Sequence, residues 1–167
     1  VRARLGQSYD KDGVLSLAGT ADPAIVAEAM LTPYFLKIPP KSLDRNDFDH
    51  VMPLVDGLKT EDAAATLVAF AAKAVARGLE HCPCPPSAIY VTGGGRSNPA
   101  MMAALRHATN ANVLPVENVG LNGDFLEAQA FAYLAIRVAR GLSTSGPSTT
   151  GVAAFVGGGK LSVPSGR

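Results

Sequence analysis

From 60 to about 78, apolar residues recur at helical spacing: Ala63, Leu67, Phe70, Ala74 and Val75 form one stripe, and Lys73, Arg77 and Glu80 a solvated face. Thr60 stands where it can cap this helix, and Glu61 and Asp62 suit the positive end of its dipole. A shorter helix opens at Asp22 and Pro23, a capping carboxylate followed by a proline that sacrifices no hydrogen bond, and stops before Pro33. Between 34 and 53, Pro39, Pro40, Pro53 and a polar cluster resist regular structure, so an ordered loop serving function or packing is expected. The β-branched and aromatic run 88–92 predicts a buried central strand ended by three glycines. A helix from Asn98 and Pro99, a strand over 113–116, a long helix over 124–140 closed by Gly141 and a last strand over 152–156 complete the pattern. This alternation predicts an α/β layer structure with parallel strand pairs and no internal repeat.

Composition adds exclusions. At 47% hydrophobic and 17% charged the 167 residues read as globular, with enough chain for one core. A net charge of +1, with no run of either sign, offers no footprint for nucleic acid or an anionic membrane. No apolar run approaches the roughly 20 residues of a membrane helix. The expected partners are small molecules or a second copy of the chain. Cys82 and Cys84 flank Pro83, a spacing that suits neither a redox pair nor a zinc site, and read as reduced loop thiols. The opening stretch before Tyr9 reads as the tail of something that begins upstream.

Gly93, Gly94 and Gly95 lie between a strand and a capped helix, where open α/β sheets place ligands. They let a flat or anionic ligand approach the backbone, or they simply make a tight turn; the triplet alone leaves both open. Asn98 stands where a dinucleotide fingerprint requires its third glycine, and the segment from Gly157 to Lys160 lacks the flanking residues of a P-loop and reads as a turn. Asp124 and Glu127 have capping-box spacing, the ordinary explanation of both acids, although a carboxylate there can instead accept a hydroxyl's hydrogen bond from a cleft. His50, His81 and His107 are scattered, and no serine lies in a nucleophile elbow, so hydrolase and metalloenzyme readings lose weight.

The segments T-G-G-G-R-S-N-P-A-M-M at 92–102, G-L-x-x-D-x-x-E-A-Q-A-F-A at 120–132 and Thr150 with Gly151 resemble the anhydro-N-acetylmuramic acid kinase family. So do Pro33, Tyr34 and Phe35, then Pro39 to Ser42 with Arg45 and Phe48, preceded by Asp12, Gly13 and Gly19. The resemblance implies the ribonuclease H-like fold of actin-like ATPases, a mixed sheet flanked by helices, with residues 1–167 as the C-terminal lobe of a two-lobed sugar kinase. Such kinases use ATP and magnesium (Mg2+) to open 1,6-anhydro-N-acetylmuramic acid with water and phosphorylate its 6-oxygen, a cytoplasmic step of cell-wall recycling. The resemblance places Gly93, Gly94, Gly95 and Asn98 toward the nucleotide and Glu127 toward the sugar. It places the catalytic base and phosphate loop in an N-terminal lobe, whose motifs D-x-G-P-G-N and G-T-S-x-D-G do not occur here, so this chain alone should be inactive. The sequence departs from the family's usual pattern at Leu43 and Asp44 and again at Asn122, Gly123 and Phe125. Its rivals are a non-catalytic nucleotide- or sugar-binding module on the same lobe, and a structural or dimerising domain.

Overall fold

The computed structural model describes residues 1–162. Seven α-helices are defined among them: α1 (Arg2–Leu5), α2 (Val14–Ala18), α3 (Pro23–Ala29), α4 (Thr60–Leu79), α5 (Pro99–Thr109), α6 (Leu126–Ala139) and α7 (Pro147–Thr150). Two strands, β1 (Ala88–Val91) and β2 (Asn112–Pro115), pair in parallel with Ile89 opposite Val113 and Tyr90 opposite Leu114. The crossover between them is α5, as a parallel pair requires.

The central helix is α4, which packs against α2, α3 and α5. Its contact with α5 and the sheet encloses one core of Ala72, Met102, Leu105 and Val113, the last fully buried. Small residues let the layers close: an added Cβ at Gly19 would stand 2.0 Å from the Glu61 carbonyl oxygen. At that contact the Thr20 amide donates to the Asp62 carboxylate (2.8 Å) and the Asp22 amide to the buried Thr66 hydroxyl (3.0 Å). Asp10 accepts from the Leu15 and Ser16 amides and the Ser16 hydroxyl (2.9, 3.0 and 2.7 Å), fixing the start of α2.

Several expectations need correction. No side chain caps α4; Lys59, not Thr60, holds the cap position, and Asp62 is drawn to Thr20. Val75 is 40% exposed, because the buried face of α4 runs through Ala63, Ala65, Thr66 and Ala72. The 34–53 segment is not irregular throughout but forms three 3-10 turns, Pro33–Leu36, Arg45–Val51 and Pro53–Val55. It is packing structure: Phe35 and Phe48 stack at 5.7 Å, and both meet Phe70 of α4 edge-on. The strand β1 is half-buried rather than central, since β2 is its sole partner among the described residues. The 152–156 run makes a single antiparallel bridge, Ser145 with Val156, instead of a strand, because among the described residues no neighbouring strand pairs with it.

Candidate functional site

The turn after β1 has the conformation that the glycines permit. Gly93 has φ +71°, a backbone region that disfavours side chains, and the chain then makes a 3-10 turn over Gly94–Ser97. Asn98 ends this turn and caps α5: its Oδ1 accepts from the Met101 amide at 3.1 Å, and Pro99 follows in the first turn. The same oxygen lies against Gly13, whose added Cβ would be 2.3 Å away.

Opposite the glycine turn runs the loop that follows β2. The Gly93 amide donates to the Gly123 carbonyl (3.1 Å), which also accepts from the Thr92 hydroxyl (3.2 Å), so the two loops are stitched together. Between this junction and the first turns of α6 opens a cavity of about 620 Å³, lined by Thr92, Gly93, Gly94, Gly123, Asp124 and Glu127, among others. The structure thus brings Gly93, Gly94 and Glu127 to one cavity; Gly95 and Asn98 lie outside its lining. Cβ atoms added at Gly93 or Gly94 would meet nothing within 4 Å, which leaves the backbone open to a ligand.

The capping box expected of Asp124 and Glu127 does not form. Phe125 occupies the cap position of α6 and no side chain caps the helix. Asp124 instead accepts from the Arg96 guanidinium at 2.7 Å, because a charged partner outcompetes neutral amides. Glu127 is left exposed in the first turn, beside the cavity.

Arg96 and Glu117 were not singled out by the sequence pattern, yet they organise this junction. The Arg96 Nε donates to Glu117 Oε1 (2.9 Å), and that oxygen also accepts from the Gly123 amide (3.0 Å). A third guanidinium nitrogen of Arg96 donates to the Gly93 carbonyl at 2.9 Å. The Asp124 hydrogen bond, then that of Glu117, raises the Arg96 pKa further above its already high value. Backbone amides, its own and that of Gly123, hold Glu117 below the usual carboxylate range, and Arg96 adds to this. The available signal was position: Arg96 and Glu117 follow the carboxyl ends of two parallel strands, where open sheets gather ligands.

Cys82 and Cys84 are free and exposed in the loop before β1. Among the described residues no group of three or more His, Cys, Asp and Glu is arranged to hold a metal ion, and no helix is long and apolar enough to cross a membrane.

Comparison with known proteins gives the chain its relatives. The family profile described as anhydro-N-acetylmuramic acid kinase matches residues 1–161. The anhydro-N-acetylmuramic acid kinase of Roseobacter denitrificans is 56% identical over 164 residues, 98% of this chain and 44% of the relative. That of Ruegeria sp. is 55% identical over 99% of this chain and 44% of its own length, and that of Methylobacterium nodulans 47% identical over 96% and 42%. The chain spans less than half the length of these curated relatives. It belongs to the anhydro-N-acetylmuramic acid kinase family.

Proposed function

We propose that residues 1–167 are the nucleotide-side, C-terminal lobe of a two-lobed, actin-like sugar kinase, with the β1–α5–β2 unit as part of a ribonuclease H-like fold. The complete protein uses ATP to open 1,6-anhydro-N-acetylmuramic acid hydrolytically and phosphorylate it to N-acetylmuramic acid 6-phosphate, in the cytoplasm. The observation that carries this reading is the single cavity where the open glycine backbone faces Glu127, in a chain of this family. Its volume, about 620 Å³, lies in the range of small-molecule sites.

The chemistry of the lining distributes the roles. Asp124 and Glu127 are its ionisable groups among the described residues, so the cations that hold the triphosphate are assigned to the other lobe and the adenosine end to Gly93 and Gly94, with Gly95 and Asn98 supporting the turn. Glu127 accepts hydroxyl hydrogen bonds from the sugar. ATP supplies the phosphoryl group, and the transfer depends on positioning and charge stabilisation. Magnesium would arrive with the phosphates and, like them, is assigned to the other lobe.

We assign the second lobe to the apolar surface of α6. On α6, Phe131, Tyr133 and Ile136 are 64%, 60% and 54% exposed, and Phe155 nearby is 75% exposed. A helix so apolar is normally covered. A second copy of the chain is the other candidate cover.

The test is phosphotransfer by the complete gene product given ATP, magnesium and the anhydrosugar, followed by mass spectrometry. N-acetylmuramic acid 6-phosphate is the expected product, and residues 1–167 alone should give none. Ligand binding without turnover by the complete product would favour a non-catalytic binding module, a reading also suited to a cavity whose ionisable lining groups, among the described residues, are carboxylates alone.

A further inference from the structure

Two loops distant in sequence meet at Arg96. Its side chain is 11% exposed and donates to the Gly93 carbonyl of its own turn and to Glu117 and Asp124 of the loop that follows β2. It lies flat against Gly123, where an added Cβ would stand 2.4 Å from its Nε. Glu117 carries the tie one step further, since the oxygen that receives Arg96 also receives the Gly123 amide. The Gly93 amide and Gly123 carbonyl close the ring.

We propose that Arg96 is a positioning residue, a three-way pin that sets the distance between the glycine wall of the cavity and the Gly123 to Glu127 wall. It does not itself line the cavity. Its planar fork suits the task, because one rigid guanidinium fixes the directions of several acceptors at once, which a lysine ammonium does not. By engaging Asp124 it also withdraws that carboxylate from the cap of α6, which leaves the helix entry set by the pin rather than by local capping.

This inference rests on the kinase reading for its kinetic consequence but not for its structural one, and two measurements separate them. Amide hydrogen exchange on the complete gene product should show faster exchange at Gly93 and Gly123 in Arg96→Ala, with α4 and α5 unchanged. Glu117→Gln should speed exchange at Gly123 to a lesser degree. In steady-state kinetics, Arg96→Ala should raise KM for the anhydrosugar at least tenfold with a smaller change in kcat, and Arg96→Lys should recover only part of the loss.

Unchanged exchange at Gly93 and Gly123 would overturn the pin. Faster exchange with unaltered KM, or full rescue by lysine, would overturn the positioning role. If the unmutated protein showed no phosphotransfer, the kinase reading would fall and the kinetic part of the proposal with it, whereas faster exchange in Arg96→Ala would still support the pin.

Discussion

The sharpest prediction is Glu127→Gln in the complete gene product. The structure removes the competing explanation of this carboxylate: the capping box is absent, Asp124 is paired with Arg96, and Glu127 stands exposed in the first turn of α6. What the helix loses with the charge is its interaction with the dipole, about 0.3–1 kcal/mol. At about 2–4 °C per kcal/mol for 150–250 residues, and less for a longer chain, the melting temperature should fall by no more than about 4 °C. If Glu127 receives a sugar hydroxyl, the substitution removes a charge-assisted hydrogen bond of about 1.5–3 kcal/mol, lowering kcat/KM by roughly 10- to 150-fold. The assay pairs anhydrosugar kinetics with thermal melting of the same preparations. A stable variant with unaltered kcat/KM would refute the sugar-binding role.

Gly94→Val should lower ATP affinity by about tenfold in calorimetry, while melting shifts by less than about 2 °C, since its side chain enters open space beside the cavity; unchanged affinity would make the triplet only a turn. Gly19→Ala should cost about 3 kcal/mol, or roughly 6–12 °C, because its Cβ meets the Glu61 backbone with no side chain able to yield; an unchanged melting temperature would contradict the close approach of α2 and α4. Burial raises the Asp10 pKa, but the Ser16 hydroxyl and the Leu15 and Ser16 amides outweigh it and leave the group below its ordinary value. Its contribution is therefore complete above the ordinary aspartate range and lost as pH falls through the lowered folded value. The stability gap between the unmutated chain and Asp10→Asn in urea denaturation should be full at neutral pH and close in acid; a gap that persists in acid would refute this.

Local signals located the elements better than their partners. Proline and capping chemistry predicted the starts of α3 and α5, and in both the foreseen side chains, Asp22 and Asn98, make the capping bonds. Ambiguity entered wherever one side chain had two uses. Thr60 and Asp62 both suit a helix start, but Asp62 faces the Thr20 amide, a partner forty-two residues away that no local pattern reveals. The aromatic cluster of Phe35, Phe48 and Phe70 likewise turns a proline-broken segment into packed structure through contacts remote in sequence. The departure from the family pattern at Asp44 has a similar local use: it caps the Arg45–Val51 turn, with Asp47 completing the box.

Asp124 shows why the candidate site was only half legible. Its spacing to Glu127 satisfies the capping-box pattern, and by sequence alone the pattern explains both acids. The pattern contains no information about Arg96, twenty-eight positions earlier, whose guanidinium offers a stronger bond than a helix amide. The Asp124 amide, which Glu127 would receive in a capping box, is donated to the Asn122 side-chain oxygen instead (2.9 Å), so Glu127 has no capping partner among the described residues and, beside an open glycine backbone, is available to a ligand. The two contacts that displace the capping box, Arg96 on the Asp124 carboxylate and Asn122 on its amide, are therefore what favour the ligand reading of Glu127. The Arg96 contact also ties the Gly123 to Glu127 wall to the glycine turn through one side chain, so disturbing Arg96 should alter both walls of the cavity together.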